Sequence, residues 1–284
     1  MKKRQKRLWA VVCMVLVLAG CSAASQKTAG EDYVETAYSL LQQADSFAAQ
    51  VNMELSIEEE ESSMQAVVSM CREPLKMKVE YVESDAETVQ ETELFLEEDA
   101  DAMNLYTGHD GYWTEKTMTK EAALQEMQIY NTLHNLEMIL NTMQDITVTK
   151  ADAVYILQGV IPKESFYDME ENAEPFRIAG VSGIPEEYLE GMAGVPVTVT
   201  LEQKTKQPLS YEMDLTEALK TILQNVLEEI EMEEELITVE KYHISSKLLQ
   251  LGKVKAEQIE LPAQIREKAV NIEREISGMQ SKME

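Results

Sequence analysis

Strict alternation of apolar and polar residues, recurring in segment after segment, constrains this chain more than any other feature. Val51, Met53, Leu55 and Ile57 alternate with Asn52, Glu54, Ser56 and Glu58, and Met64, Ala66, Val68 and Met70 repeat the pattern after the acidic, serine-containing stretch 58–63. A period of two places every second side chain on one face of a strand. Each segment therefore predicts a strand with one dry and one wet face, and the pair predicts a hairpin. Leu75, Met77, Val79 and Tyr81 continue the pattern after Pro74. Shorter strands are expected at 92–98 and 103–107, and the turn Gly108-His109-Asp110-Gly111 returns the chain into 112–117.

The same signal reappears later. Val195, Val197, Val199 and Leu201 face Leu209, Tyr211, Met213 and Leu215 across a polar turn closed by Pro208. Strands are also expected at 146–149, 237–246 and 258–261, and at 154–161, which is apolar on both faces and so predicts a central, covered position. Between these groups the period changes to three and four. Helices are predicted over 31–50, 119–145 and 217–235, with a short one at 162–171 and a helical turn at 186–192. A C-terminal helix is predicted from Pro262 on Ile265, Ala269, Ile272, Ile276 and Met279. The stretch 172–194 holds the densest Gly and Pro of the chain beyond the leader and predicts a mobile loop. Runs of adjacent strands, with helices between the runs, predict an α+β fold. An antiparallel sheet of about ten strands curls, and its concave face must be covered, here by the inserted helices.

Charge divides the chain in two. Five of the 25 basic residues lie in residues 1–7, no acidic residue precedes Cys21, and the remainder carries a net charge of −32 against −27 for the whole. Such an acidic body excludes a nucleic-acid binder, which needs basic surface to displace counterions from phosphate. The basic head and the apolar run 8–18 read as a secretory signal, since 11 residues are too few to span a bilayer. Leu18-Ala19-Gly20-Cys21 follows and resembles a lipobox, which implies a diacylglyceryl group on the Cys21 thiol and cleavage before it. Two acyl chains anchor stably where one is marginal, so a membrane is an expected partner. The expected organisation is a signal peptide at 1–20, a small, polar tether at 21–30, one domain at 31–262 and a helical tail at 263–284. Cys71 is then the one other thiol, expected half-buried in a strand.

Three short motifs stand in a telling order: Tyr106 followed by Asp110-Gly111-Tyr112-Trp113, the hairpin 201–214 with Pro208-Leu209 at its turn, and Ile259-Glu260-Leu261-Pro262. With the lipobox and one leading helix, this order resembles the LolA/LppX-like superfamily of envelope lipoproteins, and within it a Gram-positive lipoprotein branch. The resemblance implies an incomplete β-barrel whose concave apolar face is closed by helices and holds a lipid or acyl chain. The late turn departs from that pattern, with Gln203 and Lys206 where Asp and Gly are common, and the tail past Pro262 is longer.

Candidate ligand-lining residues are the inward positions of the predicted strands: Met53, Leu55, Met64, Val68, Met77, Val79, Val197, Val199, Tyr211 and Met213, with Trp113 either at a cavity mouth or packing the end of its hairpin. Fifteen Met against four Phe follow the leader, and Met is the side chain that adapts to variable apolar cargo or fills an irregular core. The expected ligand is a lipid or apolar small molecule. A basic envelope protein is a second class of partner, steered by acids such as the six Glu within 228–235. No nucleophile elbow, phosphate loop, dinucleotide fingerprint or zinc motif occurs, so neither catalysis, metal nor cofactor is expected.

Overall fold

The chain enters its sheet at the middle. Strand β1 (Ser46–Ile57) pairs with β2 (Glu60–Cys71) from Ser46↔Cys71 to Ile57↔Glu60, and the meander runs outward through β3 (Lys76–Ser84), β4 (Val89–Asp99), β5 (Ala102–His109) and β6 (Tyr112–Met118). The chain then crosses to the opposite edge and returns inward through β7 (Gln144–Ala151), β8 (Val154–Ile161), β9 (Val195–Glu202), β10 (Pro208–Asp214) and β11 (Val239–Leu251). β11 closes against β1, with Met53 opposite Ile244 and Leu55 opposite Tyr242. The result is one 12-stranded sheet, curved and unclosed, an incomplete barrel of the α+β class. The computed structural model describes residues 29–85, 87–100, 102–167, 185–229 and 237–271. The leader, Cys21, most of the tether, most of the Gly/Pro-rich stretch, much of the Glu-rich run and the far C-terminal residues lie outside them.

Helices α1 (Ala29–Gln42), α2 (Lys120–Glu126) and α3 (Thr132–Thr142) cover the concave face. The link from β6 to β7 joins opposite edges and has to cross a face. Its apolar stripe, Leu133, Leu136, Ile139 and Leu140, selects the dry one, and all four are 2% exposed or less. Ala37 and Leu41 of α1 are fully buried in the same core, which also holds Phe47, Val51, Met77 and Val79. A very short α4 (Glu164–Tyr167) follows β8, and α5 (Thr216–Glu229) joins β10 to β11.

Several boundaries differ from the periodicity. The leading helix stops at Gln42, not at residue 50, because residues 46–50 find ladder partners on both sides, and Phe47, Ala49 and Val51 point inward on a strand. Ala44 and Ala48 continue the helical spacing because alanine has the highest helix propensity, which the ladder pairing of 46–50 overrides. The predicted helix 119–145 is two helices. Thr119 caps the first through the Ala122 N–H (3.2 Å), and Asn131 caps the second through the His134 N–H (3.3 Å), with a 3-10 turn Gln128–Tyr130 between. Strand β8 lies next to the edge strand β7, not at the centre. Residues 258–261 are not a strand: Ala256–Ile259 form a 3-10 turn that buries Ile259. The C-terminal helix α6 (Ala263–Lys268) ends early, because β12 (Val270–Asn271) pairs in parallel with the open edge of β6.

The start of α5 is clipped to the sheet. Leu215 N–H donates to the Tyr242 carbonyl (2.8 Å), and Asp214 accepts the otherwise orphaned Thr216 N–H (3.0 Å). Burial pulls the Asp214 pKa up, but the Thr216 hydroxyl and N–H, with His243 and Lys220 nearby, outweigh it and hold the carboxyl below its usual value. A carboxyl depressed in the folded state stabilises above its unfolded pKa, near 4, and loses that contribution as pH falls through the folded value. Asp214→Ala is therefore expected to cost about 1 kcal/mol at pH 7. Urea unfolding at pH 7, 4 and 3 should show the gap from the parent shrinking below pH ~4; a constant gap would count against the carboxylate role.

Candidate functional site

The concave face is laid out in rows across the strands. One row runs Val199, Tyr211, Ser246, Val51 and Ala66, and the next runs Val197, Met213, Ile244, Met53 and Met64. Followed along β1, burial relaxes toward the rim. Val51 is fully buried, whereas Met53, Leu55 and Ile57 are half-buried. At the rim, Leu55 and Ile57 line a concavity of about 730 Å³ with Ser62, Thr88 and the acids Glu58, Glu60, Glu61, Asp85 and Glu87. An apolar strip thus leads from an acidic mouth to the floor beneath α3.

Of the residues expected to line a cavity, Met64, Val68, Met77, Val79, Val197, Val199, Tyr211 and Met213 are buried in the core that the helices cover. Met53 and Leu55 pack on its margin. Their inward direction is as expected from the alternation, and they share one face of one sheet. Trp113 does not join them. It stands opposite Gly108, Gly108 opposite Glu93, and Glu93 opposite Glu80, a row on the other face of the sheet. There the indole lines an outer concavity of about 660 Å³ with Gln50, Val67, Glu80, Val82, Glu91 and Glu93 among others.

Trp113 belongs to a second, small core. Phe95, Tyr106 and Leu261 are buried on the outer face, with Trp113, Ile265 and Ala269 packed against them. Arg266 of α6 donates to both carboxylate oxygens of Glu97, at 2.7 and 2.9 Å, and holds the C-terminal segment down. Tyr106 donates to Glu115 (3.0 Å), and burial pushes its pKa up to about 12. Tyr106, Trp113 and Leu261, which carried two of the three sequence motifs, therefore meet as packing residues. Gly108 makes room for the indole: a Cβ there would stand 2.5 Å from Trp113 Cζ2. Gly108→Ala should displace the rigid ring at a cost of about 1–3 kcal/mol, seen as a red-shifted Trp113 emission and a lower urea midpoint. An unmoved emission maximum would refute this contact.

Sequence reasoning missed a polar group beneath the helices. Thr132 and Asn135 are fully buried, Ser246 is 1% exposed and Gln128 is 5% exposed. Thr132 and Ser246 share a hydroxyl hydrogen bond of 2.9 Å between α3 and β11. Asn135 Nδ2 donates to the Ile129 carbonyl (3.4 Å) and to the Tyr211 hydroxyl (3.3 Å). Among the described residues, Asn135 Oδ1 and Gln128 Nε2 are buried without a hydrogen-bond partner. The available signal was the interruption of an apolar stripe at 132 and 135, three residues apart and so on one helical face.

Methionine dominates the packing between sheet and helices. Met64, Met70, Met77, Met103, Met127, Met138, Met143, Met192 and Met213 are all buried. Tyr130 donates to the Met64 sulfur at 3.9 Å, and burial raises the Tyr130 pKa. Two polar contacts hold the cover at its margins. Arg72, in the turn after β2, pairs with Glu137 of α3 at 2.6 Å. Lys206 Nζ lies 5.0 Å from the Tyr33 ring of α1 and 4.0 Å from that of Tyr155, and the two rings stack at 4.6 Å.

The described end of the stretch expected to be a mobile loop is packed. Its turn Glu186–Leu189 buries Leu189, and Asn225 of α5 donates to the Tyr188 (2.8 Å) and Glu190 (3.0 Å) carbonyls. Cys71 is buried at the end of β2, where burial raises its pKa and its thiol donates to the Val254 carbonyl at 3.6 Å. Among the described residues no group of three or more His, Cys, Asp or Glu is arranged to hold a metal ion, and no helix is long and apolar enough to cross a membrane.

No family model and no curated protein matches the chain. Among solved structures it is similar to the lipoprotein LppX of Mycobacterium tuberculosis, with 11% identity and a TM-score of 0.45 over 83% of this chain and 100% of that one. It is also similar to an outer membrane lipoprotein-sorting protein domain from Vibrio parahaemolyticus, at 9% identity and a TM-score of 0.29 over 81% and 96%. A DUF1329 family protein from Desulfovibrio piger gives 8% identity and a TM-score of 0.26 over 82% and 96%. None of these likenesses reaches a TM-score of 0.5, and none bears on a Gram-positive branch.

Proposed function

We propose that this chain is a non-catalytic, lipid-anchored protein of the cell envelope that holds an apolar or lipid-like molecule between its curved sheet and its helical cover. One observation supports the reading above others: the apolar strip of the concave face, which runs from fully buried Val51 through half-buried Met53, in one row with Met64 and Met213, and Leu55 to the rim concavity at Ile57. Methionine side chains repack at low cost, so an interface built from them can part around a chain and close again without it. Each CH₂ transferred from water contributes about 0.8 kcal/mol, which suffices to retain an acyl chain without polar contacts. The anchor rests on the sequence around Cys21, and the acidic rim on the exposed face suits a protein held off a membrane surface by a tether.

A second reading is favoured by the complete burial of Val68, Met77, Val79, Val199, Tyr211 and Met213 under the helices. On that reading the interior is permanently filled, and the protein is an interaction module whose acidic outer face meets a basic envelope protein. Native mass spectrometry of the purified protein exposed to a bacterial lipid extract separates the two. The first reading expects one apolar molecule bound per chain, displaced by Met53→Trp at the strip. An absence of any adduct, with the interior equally packed in a crystal structure, would overturn it.

A further inference from the structure

We propose that Thr132 and Asn135 of α3, hydrogen-bonded to Ser246 and Tyr211 beneath the helical cover, form with buried Gln128 of the preceding turn a recognition site for the uncharged, oxygen-bearing head of an apolar chain, of the acylglycerol class. The inference rests on the reading that an apolar molecule occupies the half-barrel, and specifies its chemistry.

The unpaired atoms carry the argument. Asn135 is fully buried, and its amide nitrogen is already committed to the Ile129 carbonyl and the Tyr211 hydroxyl. Those partners determine the orientation of the amide, since reversing it would set its oxygen against the Ile129 carbonyl oxygen. Asn135 Oδ1 is thus a buried acceptor with nothing to accept, and Gln128 Nε2 is a buried donor with no acceptor. Buried polar atoms in folded proteins are paired as a rule, and an exception asks for a partner. The Tyr211 oxygen accepts from Asn135, which leaves its own proton to donate, and burial keeps that hydroxyl neutral by pushing its pKa up to about 12. The Asn135 oxygen and the Tyr211 hydroxyl proton therefore stand side by side, an acceptor beside a donor, the complement of a hydroxyl next to an ester oxygen.

Charge narrows the class. All five side chains are neutral. A carboxylate or phosphate would be buried there without a counter-ion, which is among the costliest things a protein interior can hold. The surroundings settle the rest of the ligand. Tyr211 and Ser246 lie in the row of Val51, one row from Met213, Ile244, Met53 and Met64. Val51 is six residues along β1 from Ile57 at the rim concavity, a run of about 20 Å at strand rise. A polar head at the floor and an extended alkyl chain toward the mouth fit that path.

The test is competition between 1-monopalmitoylglycerol and palmitate for the purified protein at pH 8, read by native mass spectrometry. The neutral head should be preferred by about tenfold, the worth of one or two hydrogen bonds to buried partners. Asn135→Leu and Tyr211→Phe should bring the ratio toward one. If Asn135→Leu does not fold, Tyr211→Phe and Ser246→Ala decide the question. Equal binding of both probes, a preference for palmitate, or a tenfold ratio unmoved by the variants would overturn the head site while leaving an apolar ligand in place. Binding of neither probe would overturn both readings. A loaded crystal structure in which the five side chains hold only a water, with the head elsewhere, would also overturn the site.

Discussion

Leu136→Ala is expected to lower the free energy of unfolding by about 2–5 kcal/mol. Leu136 lies in the middle of α3, is fully buried, and stands between Leu133 and Ile139, which are fully buried too. Truncation removes the transfer free energy of three carbons and leaves a void that the close-packed neighbours only partly fill. Against a total stability of roughly 5–15 kcal/mol for a domain, that is a large fraction. Urea unfolding should show a lower midpoint with an unchanged slope. A change below about 1 kcal/mol would mean that α3 is not closely packed on the sheet.

Cys21→Ala is expected to release nearly all of the protein from membranes. A single acyl chain binds a bilayer only marginally, so stable attachment requires the diacylglyceryl group that the proposed lipobox would place on the thiol. The apolar run 8–18 is too short to replace it as a span. Fractionation of cells expressing the variant should move the protein from pellet to supernatant, and metabolic labelling with a palmitate analogue should be lost. A variant that stays in the pellet and still labels would remove the lipid anchor from the account.

The strands were readable because a period of two has one physical cause, the pleat, and because this chain keeps it through segment after segment. Inward Met53, Met64, Val197 and Tyr211 follow from it directly. The boundaries that moved all lie where two periods fit the same residues or where a neighbour supplied a hydrogen bond. Alanines at 44 and 48 suit a helix until β2 and β11 pair with residues 46–50. The helix after Pro262 is ended by the unpaired edge of β6, which lies about 150 residues earlier in the chain and leaves no local trace.

The site divides along the same line. Which side chains face inward is a local property, set by alternation. Whether Trp113 shares their face depends on register, and its row with Gly108, Glu93 and Glu80 places it on the opposite one. The polar group under α3 is further still from sequence. Thr132 and Asn135 look like interruptions of a stripe until the crossover from β6 to β7 lays them on Tyr211 and Ser246, more than 70 residues away. From sequence alone came the α+β class and the dry face of each strand, and with them the expectation of a leader with a lipobox and the acidity that argues against polyanions, because each depends on residues close together in the chain. Tertiary structure decided which strand completes the sheet, what covers the concave face and which polar atoms are buried without partners, because those depend on contacts between distant segments whose free energy no local window contains.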